Sequence, residues 1–86
     1  MNGIQKKNLK KHGVSFEEAS TIFDDPLYIS FLDAEHSAEE ERHITIGMSN
    51  KVRLSMAAHT ERRKLIRIIG ARKAVKNEET FYNEAR

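Results

Sequence analysis

Between residues 27 and 69, apolar and polar residues alternate in four short stretches, as they do in strands with one buried face. The predicted strands are Leu27–Leu32, His43–Met48, Val52–His59 and Leu65–Ile69. Short turns separate the last three stretches, and we expect Asn50 to take positive φ in the first of these turns. The pattern therefore predicts an antiparallel meander of four strands.

Helical patterns flank this region on its N-terminal side. Asn2–Lys11 is a lysine-rich helix candidate, and Gly13 is suited to the left-handed conformation that ends a helix. Ser15 and Glu18 have capping-box spacing, which predicts that a second helix begins there. The residue before Pro26 resists the α region, so this helix should end before the proline.

A third helix is predicted near the C-terminus. It should begin near Val75–Asn77 and run toward Ala85. The whole chain, residues 1–86, is expected to form one small α+β domain, because 86 residues do not support two separate cores. We expect the helices to cover one face of the sheet and leave the other face available.

The charges are unevenly distributed, although the formal net charge is only +2. Residues 33–41 contain five acids and no lysine or arginine, whereas residues 42–76 contain ten lysines or arginines and a single acid, Glu61. One part of the fold should therefore carry a positive field that attracts polyanions.

Several classes of protein and site are disfavoured. The chain has no cysteine, so disulfides and thiolate zinc sites are excluded. Its four histidines show no metal-ligand spacing, and there is no glycine-rich phosphate loop. No apolar run approaches the ~18 residues of a membrane span. We therefore expect no metal, no cofactor and no membrane association, and a cytoplasmic location.

The remaining candidate chemistry lies at the end of the meander. Arg67 is a lone cation inside an apolar strand, which requires a partner or a polar face. The side chains that form this constellation are His59, Thr60, Glu61, Arg62, Arg63, Arg67, Arg72 and Lys73. Arginine forks match phosphate oxygens, and RNA cleavage needs only a base, an acid and such cations. His59 or Glu61 could serve as the base or the acid, with Arg67 and Arg72 stabilising charge.

Three segments carry a resemblance to a known family. They are KKHGVSFEEASTIFDDP, the later DAEHS…EERHITIGMS, and HT…IRIIGARKA. Together and in this order they resemble the BrnT family of type II toxins. The resemblance implies a RelE-like fold and a ribonuclease that cuts RNA without a metal and inhibits translation. It also implies a neighbouring BrnA-like antitoxin, which neutralises the toxin and binds DNA through a ribbon-helix-helix domain.

The resemblance also assigns residues by position. The family's histidine, threonine and basic motif residues correspond to His59, Thr60, Arg67, Arg72 and Lys73. The Lys-His-Gly segment corresponds to Lys11, His12 and Gly13. Lys11, His12 and Lys73 from this match, together with Arg62 and Arg63 from the cationic constellation, are the expected RNA-binding residues.

Three departures from the family pattern affect these expectations. Family members usually begin with a short strand before the first helix, whereas this chain starts inside that helix. Either its start is misplaced, or the protein is a shortened form whose sheet lacks one edge strand and whose toxin activity is affected. Gly70 stands where serine is common. Val75 stands where threonine would cap the last helix, which should weaken its start by about 1 kcal/mol.

Two other functions remain open on the sequence. The chain could be a non-catalytic toxin-like module that binds an antitoxin or RNA. It could also be a DNA-binding regulator, but no predicted helix concentrates the basic and base-reading side chains of a recognition helix.

Overall fold

A computed structural model of the protein describes residues 13–38 and 40–85. The strands of the sheet are β1 (Ile29–Leu32), β2 (Arg42–Met48), β3 (Leu54–Arg62) and β4 (Leu65–Lys73). The α-helices among these residues are α1 (Phe16–Ser20) and α2 (Lys76–Glu84). Two 3₁₀ turns, Thr21–Asp24 and Ala34–His36, complete the regular structure. The fold is α+β, as the sequence predicted.

The four strands form one antiparallel sheet in the order β1-β2-β3-β4, which confirms the predicted meander. The bounds of β3 and β4 differ from the prediction. β3 begins at Leu54 instead of Val52 and continues to Arg62, and β4 continues to Lys73. A β-bulge between Ala58 and His59 shifts the pairing of these two strands. The two long strands form a hairpin whose tip is Arg63–Lys64.

The turn between β2 and β3 also differs from the prediction. Val52, and not Asn50, has positive φ, at 58°. The Val52 amide donates to the Ser49 carbonyl at 2.9 Å, which closes the turn. A β-branched residue strongly disfavours this backbone region, and the Val52 side chain is 80% exposed, so packing does not offset the strain.

We therefore expect Val52→Asn to stabilise the protein by about 1 kcal/mol, because asparagine tolerates left-handed φ. This gain corresponds to a rise of roughly 4–8 °C in Tm for a domain of this size. Thermal unfolding followed by circular dichroism measures it. Val52→Ala is the control and should give a smaller gain. An unchanged or lower Tm for Val52→Asn would contradict the strain at this position.

The predicted start of the second helix is confirmed. Gly13 has φ 70°, and the Ser15 hydroxyl accepts a hydrogen bond from the Glu18 amide at 2.9 Å. The Glu18 carboxylate does not complete the capping box; it accepts bonds from Ser49 and Arg53, in the connection between β2 and β3. The helix is α-helical only as far as Ser20. The predicted helix Asn2–Lys11 lies outside the described residues.

Helical segments cover both faces of the sheet, so the prediction of one open face was wrong. On one face, α1 and the 3₁₀ turn after it pack Ala19 and Ile22 against Ala57. On the other face, Tyr82 of α2 packs with Ile46 and Met56. The small side chains of β3 allow this burial because they let elements approach from both sides. Hereafter these are the α1 face and the α2 face.

No helix among residues 13–38 and 40–85 is long and apolar enough to cross a membrane.

Candidate functional site

A cleft lies on the α2 face, toward the hairpin tip. Its floor is set by strand register, since Arg42 of β2 pairs with Thr60 of β3, and Thr60 pairs with Arg67 of β4. Directly paired residues project from the same face of a sheet, so these three side chains form one row across the strands. Adjacent strands lie about 4.8 Å apart, which places the two arginine backbones about 10 Å from each other.

The row lines a cavity of about 420 Å³ together with residues of the β1–β2 loop. The full lining is His36, Ala38, Glu40, Arg42, Thr60, Arg67 and Ile69. The Nε atom of Arg42 is buried and has no hydrogen-bond partner among the described residues. Arg67 makes no ion pair within the described chain. The cleft thus offers two guanidinium groups and a hydroxyl, which is a donor set suited to phosphate oxygens.

The loop above this row brings two titratable groups to the cleft. His36 Nδ1 lies 2.9 Å from Asp33 Oδ2, which fixes the orientation of the imidazole. Glu40 Oε1 lies 3.7 Å from Arg62 Nε at the rim. With Nδ1 directed at Asp33, the Nε2 atom of His36 is the ring nitrogen that remains for proton transfer. His36 and Arg42 are not among the residues predicted from the sequence, because only the pairing of β2 with β3 brings the loop beside the cationic strand.

His59 lies on the other face of the sheet. It neighbours Thr60 along β3, so its side chain projects toward α1, and it is 1% exposed. Its Nε2 atom lies 2.7 Å from the Thr45 hydroxyl, and its ring packs edge-on against Phe23 and stacks on His43. The expectation that His59 and Arg67 converge on one pocket is therefore not met. The backbone of β3 separates them.

Burial lowers the pKa of His59, and the nearby His43 acts in the same direction, whereas Glu61 partly opposes them. The folded protein thus holds this imidazole neutral at a pH where the unfolded chain begins to bind a proton. A folded-state pKa below the ordinary value of 6.5 makes a stabilising contribution that is present above pH 6.5 and lost as the pH falls through the folded-state pKa.

We therefore expect the free energy of unfolding to decrease as the pH is lowered from about 7 to about 5. His59→Gln should make this decrease shallower, whatever its effect on stability at pH 7, because glutamine does not titrate. Urea unfolding at several pH values measures both slopes. The control Asn77→Ala, at an exposed residue of α2 that does not titrate, should retain the wild-type slope. Equal slopes for wild type and His59→Gln would contradict the assignment.

Arg72 makes a bidentate ion pair with Glu78 of α2, at 2.7 and 2.9 Å. Glu78 also accepts a hydrogen bond from the Val75 amide at 2.9 Å, and Val75 itself provides no side-chain cap. The arginine therefore ties the end of β4 to the first turn of α2. It lies on the α2 face with Arg67, because the β-bulge between them offsets the odd spacing. Their partners on β3, Met56 and Thr60, are four residues apart, which places the two arginines about 13 Å from each other.

The other predicted site residues are distributed around the hairpin and beyond it. Glu61 is exposed and neighbours His59 on the α1 face, as the pairing of Glu61 with Ile66 requires. Arg62 and Arg63 are exposed at the tip, beside Arg67. Lys73 is exposed at the far end of β4. Lys11 and His12 lie outside the described residues.

A second charged cluster joins α1 to the β2–β3 turn. Glu18 is 4% exposed, and its carboxylate accepts bonds from Ser49 Oγ at 2.7 Å and from the Arg53 guanidinium, with Nε at 3.0 Å. Arg53 also donates to the Gly13 carbonyl at 3.0 Å. The Arg53 ion pair and the Ser49 bond hold the pKa of Glu18 below its usual value, although burial acts in the opposite direction. Sequence spacing gave no signal for this contact because 35 residues separate the partners.

Within the described residues there is no cluster of three or more histidine, aspartate or glutamate side chains suited to a metal ion.

Residues 3–78 match the family described as ribonuclease toxin, BrnT, of type II toxin-antitoxin system. No curated protein matches the chain.

Proposed function

This chain belongs to the BrnT family of ribonuclease toxins of type II toxin-antitoxin systems, and from that premise we propose that it cleaves RNA at the Arg42–Thr60–Arg67 cleft without a metal ion. The observation that carries the proposal is the register that aligns two arginines and a threonine across three strands. The proposal includes a RelE-like fold, a bacterial cytoplasmic location and inhibition of translation through loss of RNA.

In the proposed reaction, the two arginines of the cleft bind the phosphate and stabilise its charge. The phosphodiester lies over Thr60, with a guanidinium group from each flanking strand on its non-bridging oxygens. Charge accumulates on these oxygens as the 2′ oxygen attacks phosphorus, so fixed cations stabilise the transition state more than the ground state. Arg62 and Arg63 extend the positive surface from the cleft toward the hairpin tip and support binding of the adjoining nucleotides.

Proton transfer requires groups on the same face as the cleft. We assign it to the β1–β2 loop, where His36 Nε2 accepts the proton of the 2′ hydroxyl as the new P–O bond forms. The P–O5′ bond breaks, and the leaving 5′ oxygen takes up a proton from His36 or from solvent. The products are a 2′,3′-cyclic phosphate and a 5′ hydroxyl end. The catalytic roles of His59, Glu61 and Arg72 stay predictions, and they would require a different arrangement around the substrate.

A BrnA-like antitoxin is the proposed neutralising partner, with DNA contacted only through the antitoxin. Membership in a type II system implies an antitoxin, and its ribbon-helix-helix domain is part of the proposal.

The function is tested with purified protein and a single-stranded RNA in buffer containing EDTA. We expect fragments that carry 2′,3′-cyclic phosphate ends and 5′ hydroxyl ends. Expression in a bacterium should arrest growth, and co-expression of the antitoxin encoded beside the gene should restore it. Intact RNA in EDTA that becomes cleaved when Mg²⁺ is supplied would contradict the metal-independent mechanism.

A second candidate is the non-catalytic toxin-like module. The observation in its favour is that two of the expected catalytic residues make structural contacts, His59 with Thr45 and Arg72 with Glu78. This candidate predicts antitoxin binding with no growth arrest and no RNA cleavage at any tested metal concentration.

A further inference from the structure

The tip of the β3–β4 hairpin exposes two large apolar residues next to each other. Leu65 is 73% exposed and Ile66 is 44% exposed. Successive residues of a strand project to opposite faces, so Leu65 lies on the α2 face and Ile66 on the α1 face. A partner that covers only one face of the sheet would leave one of the two in water. A partner that lies along the edge of β4 reaches both.

The same hairpin carries unneutralised positive charge. Arg63 and Lys64 form its turn with φ of 52° and 67°, a pattern that normally favours asparagine and glycine. Neither residue makes an ion pair within the part of the chain that the structure describes, and neither does Arg67. Arginine and lysine are therefore unfavourable residues for the backbone conformation of this turn. We take their presence to indicate that the two positive charges serve binding and not folding.

β4 is also an edge strand. In the sheet order β1-β2-β3-β4 it pairs only with β3, so its outer backbone groups are available for pairing among the described elements. Natural proteins usually protect such an edge because it pairs readily with another chain. Here a charged turn, two exposed apolar side chains and an open edge occur on the same few residues.

We propose that the outer edge of β4, from Leu65 to Ile68, binds an extended acidic segment of the antitoxin, which adds to the sheet as a fifth strand. The segment would place apolar side chains beside Ile66 and Ile68 on the α1 face. On the α2 face it would place an apolar residue beside Leu65 and a carboxylate beside Arg67. Backbone pairing would supply affinity, and the alternating side chains would supply specificity. The proposal rests on the antitoxin part of the proposed function and not on RNA cleavage.

The chemistry of this surface favours a protein partner over RNA or a second copy of the chain. Single-stranded RNA stacks on aromatic side chains, whereas the exposed apolar residues here are aliphatic. Two copies paired through β4 would bring the positive charges of both hairpins toward each other, which opposes association. An acidic segment neutralises these charges and buries the aliphatic side chains.

The main test compares binding of the antitoxin encoded beside the gene to matched variants, by titration calorimetry. Leu65→Ser combined with Ile66→Ser should weaken the Kd by about 30-fold or more, because two apolar contacts are lost. Lys64→Glu should weaken it by about tenfold at low salt and less at high salt. The matched control is Lys51→Glu combined with Val52→Ser, in the turn at the other end of β3, which should leave the Kd within about twofold.

Two further measurements separate this proposal from the catalytic one. The Leu65→Ser, Ile66→Ser variant should melt near the wild-type temperature and cleave RNA at the wild-type rate, since neither residue holds phosphate. In hydrogen exchange, the amides among residues 65–68 that face away from β3 should become protected when the antitoxin binds. Wild-type affinity of the double variant, or unchanged exchange at these amides, would overturn the proposal. Protection by an RNA oligonucleotide instead, or protection that grows with protein concentration alone, would assign the edge to RNA or to self-association and also overturn it.

Discussion

Arg67→Ala is expected to reduce the rate of RNA cleavage by about 100-fold or more. The guanidinium of Arg67 is one of two in the cleft, and it makes no ion pair with a described carboxylate. Its removal leaves the developing phosphate charge with a single cation. Arg67→Lys should recover only part of the rate, because an ammonium keeps the charge but not the two-point fork. The measurement is the initial rate of cleavage of a fluorescent RNA in EDTA.

Two control variants show whether the loss of cleavage is specific to the cleft. Lys76→Ala removes an exposed cation on α2, outside the cleft, and should retain the wild-type rate within about twofold. Arg72→Ala removes an arginine from the same strand and face, and we expect its main effect to be a lower Tm, because the bidentate bond to Glu78 is lost. If Arg67→Ala cleaved at the wild-type rate, the cleft would not be the catalytic site.

Glu18→Ala is expected to lower the free energy of unfolding by about 2–3 kcal/mol. The carboxylate is buried between α1 and the β2–β3 turn, and its loss leaves the Ser49 hydroxyl without its acceptor and the Arg53 guanidinium with only the Gly13 carbonyl. The effect is large for a domain of this size, whose total stability is typically only 5–15 kcal/mol. Urea unfolding at pH 7 measures it.

The neighbouring Glu17→Ala is a matched control, because that side chain is exposed on the same helix, and it should change stability by less than about 0.5 kcal/mol. The pH dependence gives an independent check. The pKa of Glu18 is lowered in the fold, so its contribution is present above the ordinary value of 4.5 and is lost as the pH falls through the folded-state pKa. The difference between wild type and Glu18→Ala should therefore shrink below about pH 4.5. A constant difference down to pH 2 would contradict this account.

The alternating apolar pattern determined the number of strands and their order, and the helix signals on either side of it determined the α+β class. The sequence also predicted the start of α1 at Gly13 and Ser15 correctly, because the capping interaction there joins residues that are close along the chain. Local signals failed at Val52, because the closure of the turn overrides the preference of a single residue. The prediction that the helices cover only one face of the sheet was also wrong, since both sides of β3 carry residues small or apolar enough to be buried.

The residues of the candidate site could be identified only from the tertiary structure. The sequence identified Arg67 as an unusual cation, but it grouped Arg67 with His59 because the two are near each other along the chain. Strand pairing separates them onto opposite faces and brings Arg42 and His36, which are distant in sequence, to the side of Arg67. Periodicity determines which residues of one strand share a face. Only the register between strands, which long-range packing fixes, decides which residues of neighbouring strands lie side by side on that face.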